Sequence, residues 1–481
     1  MSEFEAALRF SGTCQHAALG DVFFDPVQPA KFPQTVLRYR NQRWARRMGL
    51  ADLGDSQWVD HFGRFTPLPG SFETPLALRY HGHQFQNYNR DLGDGRGFLF
   101  AQGYDLEDRR LRDFGTKGSG KTPWSRGGDG KLTLKGGVRE VLATTMLEAL
   151  GVETSKSFSL VETGEALFRG DEPSPTRSSV LVRLSHSHIR IGTFQRLDYL
   201  QDHAAMAQLV QYCIAQYYPD LSSLPASRQV PAFMGAVADN VARVTAQWIA
   251  AGFVHGVLNT DNTNITGESF DYGPWRFLPV YDPRFTAAYF DESGLYAFGR
   301  QPDAMAWNLT RLAECLVPLS DVEHLEPELN RFWPQFQSQL AKAIVNRLGL
   351  NSRGSEADGQ LMSAFFAFMA AERPAYEQVF FDWRGGLASQ GRALAGPQAS
   401  LYNSKGFHAV RTLMADFEIA PTANLDHPYF EGRKPRTMLI EEVETIWAPI
   451  AEKDDWTGLE SVLSEIADMG RAYGVETFTI N

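Results

Sequence analysis

The sequence predicts an α+β protein of two lobes, a mixed sheet-plus-helix N-terminal lobe followed by a mainly helical C-terminal lobe, on three observations. Between residues 76 and 194, glycines and turn residues separate short β-type runs such as Phe98–Gln102 and Val180–Leu184. One stretch there, Val138–Leu150, instead carries apolar residues at helical spacing and stops at Gly151, so it reads as a helix packed on the strands. From residue 195 the pattern turns to long amphipathic helices, at about 196–217, 233–251, 303–317, 325–347, 358–372, 440–451 and 456–473. An island dense in Asp, Asn and Gly interrupts them from Phe253 to Phe285. Loops held on a rigid helical scaffold are where chemistry tends to sit. The expected organisation is an N-terminal extension over 1–75 packing on the core, a first lobe over 76–194, and a helical lobe over 195–481 with its reactive loops at 253–285.

Composition narrows the function. A hydrophobic fraction of 43%, with 33 Phe, 16 Tyr and 10 Trp in 481 residues, supplies a real core and excludes disorder as the dominant state. The net charge is −11, from 46 Lys and Arg against 57 Asp and Glu, so there is no bulk electrostatic pull toward nucleic acid or an anionic membrane. Any phosphate site must be a local cationic pocket. The cysteines Cys14, Cys213 and Cys315 show no metal-type spacing and no disulfide framework, which fits a reducing compartment. Met1–Arg9 carries acids where a secretion signal needs cations, and no run approaches the ~18 apolar residues of a membrane span. A cytoplasmic monomer is expected. In the first 75 residues Arg38, Arg40, Arg43, Arg46 and Arg47 form a basic cluster that reads as the solvated face of a helix.

Gly115–Thr122, Gly-Thr-Lys-Gly-Ser-Gly-Lys-Thr, satisfies the Walker A pattern letter for letter, with Lys121 as the phosphate lysine. A true P-loop runs from a buried strand straight into a helix. Here the charged Arg109–Asp113 precedes, and Pro123, Gly127, Gly128 and Gly130 follow, a run no helix continues through. What the segment offers instead is exposed backbone N–H groups beside charged side chains: Lys117–Gly120, Arg126, Asp129 and Gly130. A second cluster, Gly93–Gly97 with Arg96 inside it, lies upstream. Glycines let amides approach phosphate oxygens and Arg or Lys neutralises them; either cluster alone is more often a hairpin turn, but both stand in one lobe, followed by a helix carrying Glu140.

Lys117 lies 23 residues before Glu140, the lysine on a strand or turn and the glutamate early in the expected helix. A protein-kinase lysine and its helix glutamate have this arrangement, and so would an incidental surface pair worth under ~1 kcal/mol. His255–Asn262, His-Gly-Val-Leu-Asn-Thr-Asp-Asn, lines up with the kinase catalytic loop, with Asn262 at the metal-binding position and Val257 where kinases carry the base. Asp271-Tyr-Gly273 then stands in the place of Asp-Phe-Gly and supplies a second metal ligand. Asp261 is the nearest replacement base. The pairs His81/His83 and His186/His188 have the i, i+2 spacing of some metal sites, but no carboxylate or thiolate at matching spacing, so they read as structural histidines.

Taken in order, several words resemble the selenoprotein O family, the YdiU-like pseudokinases that act as protein adenylyltransferases. They are Gly82–Phe85, Leu92–Gly97, Lys117–Gly120, Thr122-Pro123, Ser125-Arg126, Gly128–Gly130, Arg139-Glu140, Ser187–Phe194, His255–Asn262, Phe270–Pro274 and Tyr281–Pro283. They run from about 80 to 285, with weaker similarity toward both ends. The resemblance implies a protein-kinase-like fold in which ATP lies inverted, its α-phosphate facing the acceptor. AMP would pass to Ser, Thr or Tyr hydroxyls of target proteins, with release of pyrophosphate. By motif position Gly93, Gly95, Arg96, Lys117, Asp129, Gly130, Arg183 and Arg190 would contact the nucleotide, and Glu140 would hold Lys117. Asn262 and Asp271 would bind magnesium, or manganese in its place, and Asp261 would be the general base. Many relatives carry a cysteine or selenocysteine near the C-terminus, whereas the last cysteine here is Cys315, so no terminal disulfide switch is expected. Two other readings stay open: an atypical kinase transferring the γ-phosphate, and a silent nucleotide-binding scaffold. Lys117, Glu140, Asn262 and Asp271 argue against silence, and Val257 argues against ordinary phosphoryl transfer.

Overall fold

A computed structural model describes residues 9–170, 172–475 and Phe478; the acidic start read above, Met1–Leu8, lies outside the described residues. The strands are β1 (Ser11–Thr13), β2 (Phe24–Pro26), β3 (Val36–Arg40), β4 (Leu76–Leu78), β5 (Gly82–Gln84), β6 (Asn87–Asn89), β7 (Leu99–Tyr104), β8 (Leu111–Lys117), β9 (Leu132–Thr133), β10 (Lys156–Leu167), β11 (Thr176–Ser185), β12 (Phe253–His255) and β13 (Trp275–Phe277). Nine of them make one antiparallel sheet in the order β2-β4-β7-β8-β11-β10-β3, with β1 added on β7 and β9 on β11. Two hairpins, β5–β6 and β12–β13, stand apart from it.

Register places the first functional side chains. In the β8–β11 pair Lys117 lies opposite Leu181 and Gly115 opposite Arg183. Residues directly across a pair and two apart along a strand share a face, so Lys117 and Arg183 emerge on the same side. Phe114, one position off that set, belongs to the opposite face. There it joins Trp58, Phe62, Phe100 and Phe158 in an aromatic core covered by α1 (Gln42–Arg47) and α2 (Asp55–Phe62).

On the Lys117 side lies α3 (Leu134–Ala149), started by Thr133, whose hydroxyl accepts from the Gly136 N–H at 3.1 Å. Its Val138, Val141, Leu142 and Met146 are buried in the main core, which continues through the helices that follow. These are α4 (Ile191–Tyr199), α5 (His203–Tyr217), α6 (Ala226–Ala250), α7 (Gln301–Leu316), α8 (Val322–Leu329), α9 (Phe332–Arg347) and α10 (Ser355–Glu372). The rest are α11 (Tyr376–Trp383), α12 (Gln390–Ala395), α13 (Lys405–Met414), α14 (Ile440–Lys453) and α15 (Thr457–Ala472). The fold is thus mixed α+β, a large antiparallel sheet followed by a helical half. Among the described residues no helix is long and apolar enough to cross a membrane.

Three local expectations change. The helix expected over 196–217 is two, because Asp202 caps a new start by accepting from Ala205 N at 3.0 Å. The helix expected over 325–347 is likewise divided, into α8 and α9. The arginine cluster is not a solvated face. Arg38 and Arg40 lie on β3, Arg43 makes a two-pronged contact to buried Glu148 at 2.9 and 2.7 Å, and Arg47 bonds Asp105 at 3.1 Å. Of the five, Arg46 is the one that is exposed.

Candidate active site

The end of β8, the glycine-rich loops at 93–97 and 118–130, and the island 253–285 enclose a cleft of about 630 Å³. Lys117 reaches it from the last position of β8 and is 4% exposed. Its ammonium is ion-paired with Glu140 of α3 and stands 2.9 Å from Asp271 Oδ1. The incidental-pair reading of Lys117 and Glu140 fails on burial, since Glu140 is 1% exposed. Arg183 Nη1 donates to the same Asp271 oxygen at 3.1 Å. Burial alone would raise the Asp271 carboxyl, but Lys117, Arg183, Arg190 and Arg96 together hold it well below the usual range. Asp271 adopts φ +63°, a left-handed backbone that side chains other than glycine rarely take and that tends to mark functional positions.

Asp261 faces the same cleft from a single turn of 3₁₀ helix over Thr260–Asn262. Its Oδ1 is buried without a hydrogen-bond partner among the described residues. Burial foremost, with the nearby Asp271 charge, pushes its carboxyl up to about 6 against the opposing pull of Arg190. A Cβ at Gly82 would stand 3.2 Å from that Oδ1, so the glycine of the Gly-His-Gln-Phe word keeps this side clear. Asn262 closes the turn with its amide Nδ2 donating to Val257 O at 3.1 Å; it is not part of the cleft wall. His255 holds the other arm: its ring bonds Phe270 O at 3.0 Å, fixing the residue before Asp271.

Arg190, buried, spans the two arms. One guanidinium nitrogen donates to Asp261 O at 3.3 Å and another to Asp94 Oδ1 at 3.2 Å, over the Tyr80 ring at 4.3 Å. Arg96, Gly93, Gly95, Asp129 and Gly130 line the cleft as well. Gly93 and Gly95 also have a packing reason, since a Cβ on either would strike Trp124. Asp129 is exposed and paired with Arg169 at 2.8 Å. The Walker word does not make a P-loop: Gly115–Lys117 belongs to β8, 118–131 runs on as loop, and Lys121 is exposed. Of the histidine pairs, His81 bonds the Tyr88 hydroxyl, His83 Gln195 and His186 Leu111 O, as structural histidines do, whereas neither ring nitrogen of buried His188 has a hydrogen-bond partner among the described residues and its nearest carboxylate is Asp113 at 3.5 Å.

Sequence reasoning missed the parts that brace the reactive loop. His83 N donates to Thr260 Oγ1 at 2.7 Å and Phe85 N to Asn259 Oδ1 at 3.0 Å, so the β5–β6 hairpin latches the turn carrying Asp261. Asp94 and Tyr80, which seat Arg190, were missed too. Asp94 lay inside a quoted glycine cluster, but nothing in the sequence tied it to an arginine 96 residues away.

Buried cations facing two carboxylates, with glycine loops along one wall, define an enzyme of the nucleotide-using transferase class. The family model described as protein adenylyltransferase SelO matches residues 7–467. Curated relatives named protein nucleotidyltransferase YdiU include one from Synechocystis, 43% identical over 469 residues, covering 93% of this chain and 96% of the relative. Another, from Gloeobacter violaceus, is 43% identical over 454 residues, with 92% and 91% covered, and one from Vibrio cholerae is 37% identical over 407 residues, with 84% and 78% covered. The chain belongs to the SelO family.

Proposed function

We propose that the protein transfers AMP from ATP to Ser, Thr or Tyr hydroxyls of target proteins and releases pyrophosphate. The observation that carries this is Asp261: a buried carboxyl with one unpartnered oxygen, raised to about 6, in the cleft that holds Lys117 and Asp271, while Val257 occupies the usual kinase base position. ATP lies inverted, with residues 76–194 and 195–481 acting as the two lobes of a protein-kinase-like arrangement and 1–75 packing on them. The acceptor oxygen attacks the α-phosphorus, the bond from that phosphorus to the bridging oxygen breaks, and pyrophosphate carries the electron pair away. Asp261 takes the hydroxyl proton as the new bond forms. A general base works best with a pKa near the operating pH, which is where burial puts this one.

Lys117, held by Glu140, together with Arg96, Arg183 and Arg190, neutralises the polyphosphate, and the amides around Gly93, Gly95 and Gly130 let it approach, with Asp129 at the rim. The Asp271 carboxylate and the Asn262 amide oxygen are hard oxygen donors, a pair that suits magnesium or manganese. When bound, such an ion supplies charge neutralisation to the phosphates. The net charge and the unpaired cysteines fit a cytoplasmic monomer. The test is isotope placement: with ATP labelled at the α- or the γ-phosphorus, the α-label alone should become bound to protein. Covalent γ-label would restore the kinase reading, and no covalent label the silent-scaffold reading.

A further inference from the structure

A second cavity, about 690 Å³, shares Arg96, Lys117, Lys131 and Arg169 with the cleft and runs along the start of α3 toward residues 286–290 and α14. The first turn of α3 carries no acid, although the positive end of a helix favours one. Two arginines there make no close ion pair, although Glu444 faces both from α14. Arg139 Nη2 and Arg276 Nη1 both donate to the one carbonyl of Trp275, at 3.3 and 3.0 Å, and neither forms a salt bridge among the described residues. Burial first, and Arg276 second, bring Arg139 down to about 10. Lys135 differs, being paired with Glu444 at 2.7 Å.

The rim is aromatic. Tyr289 is 85% exposed and Phe290 46%, with their rings 5.2 Å apart. Phe290 packs edge-on against Phe85 at 5.9 Å, and Phe85 is the residue whose N–H is tied to Asn259 in the loop bearing Asp261. The rim therefore adjoins the loop that bears Asp261, within reach of residues flanking an acceptor hydroxyl. Exposed aromatics next to arginines have the composition of a protein-binding surface. On a molecule of net charge −11, an acidic segment is repelled elsewhere and drawn here.

We infer that this groove and the Tyr289–Phe290 rim dock acidic segments of the acceptor protein and so select which hydroxyls are modified, an inference that rests on the adenylyl-transfer reading. The test uses the intact protein, α-labelled ATP and two synthetic peptides of equal length with one threonine and one tyrosine, flanked by Asp and Glu in one and by Lys in the other. The acidic peptide should be labelled with kcat/KM roughly tenfold higher. Arg139→Glu with Arg276→Glu should abolish or invert that ratio while ATP affinity stays unchanged. Tyr289→Ala, a change at an exposed side chain, should raise KM for both peptides and leave ATP affinity alone. Should the double variant not fold, raising salt from about 50 to about 300 mM with the native protein reads the same contact, and the preference should shrink. Equal labelling of the two peptides by the native protein, or a preference that survives charge reversal and salt, overturns the docking inference alone. Absence of α-label on any peptide or protein overturns the transfer reading and this inference with it.

Discussion

Asp261 shows how far single residues could be read. Its place beside Asn262 made it the nearest carboxylate to a missing base, but nothing in the sequence says that it is buried or that one oxygen lacks a partner. Both follow from the folded surroundings, and both bear on its chemistry. Asp261→Asn should therefore keep nucleotide binding, since Lys117, Arg183 and Asp271 remain, yet lose about 10²- to 10⁴-fold in AMP transfer. Val257→Asp added to that variant should not restore turnover; recovery, measured with α-labelled ATP, would move the proton acceptor elsewhere. The two lysines of the Walker word make a second test. Lys117→Ala leaves buried Glu140 without its cation and Asp271 with one fewer, whereas Lys121 is exposed, so Lys117→Ala should cost far more activity than Lys121→Ala. The opposite ranking would revive the P-loop.

At the scale of elements, what could be read depended on whether burial left a period in the sequence. Helices with one wet face, such as α10 and α15, emerged close to their observed spans, whereas α6 begins at Ala226, well before the expected 233. Every residue of α11 is buried, Glu377, Gln378 and Asp382 included, so its polar positions mark no solvent face and the helix was missed. The β5–β6 hairpin has three-residue strands, too short for alternation to register, yet it latches the reactive loop. Gly192 shows how closely the pieces meet. A Cβ there would lie 2.1 Å from the His81 carbonyl oxygen, so Gly192→Ala must part α4 from the segment leading into the hairpin. We expect a loss of roughly 1–3 kcal/mol and a fall in AMP transfer as the Asp261 turn loses its brace. Gly359→Ala, at a helical site with open space around it, should leave both unchanged or add slightly to stability. Equal thermal midpoints and activities for the two variants would refute the close-packing argument.

For the whole molecule, the sheet draws β1, β2 and β3 from the first 40 residues, and β3 pairs with β10 more than a hundred positions later. Such pairings leave no local trace. The same holds for Asp454 at the end of α14, which binds Arg38 and Arg177 and ties the last helices back to the sheet. Folding this chain also buries ionisable groups, and that sets its acid sensitivity. His16 and His186 are held at about 4, in both cases chiefly by burial, below their ordinary 6.5. The unfolded chain therefore binds protons that the folded one does not. Their neutral forms contribute stability that is complete above pH ~6.5 and drains as pH falls toward ~4, at about 1.4 kcal/mol per unit for each group. Glu148 acts lower down. Burial would raise it, but Arg43, Lys156 and the Trp44 indole together outweigh burial and bring it to about 2, so its share is full above ~4.5 and is lost from there toward ~2. Urea midpoints should accordingly fall in two stages: a first between pH 6.5 and 4 governed by the histidines, His81 at about 4 among them and the raised Asp261 carboxyl opposing them, and a second below 4.5 governed by Glu148. His186→Gln, which keeps a donor for Leu111 O, should flatten the first stage by about one proton and spare the second. An unchanged slope in the variant would mean that His186 is already charged in the folded state.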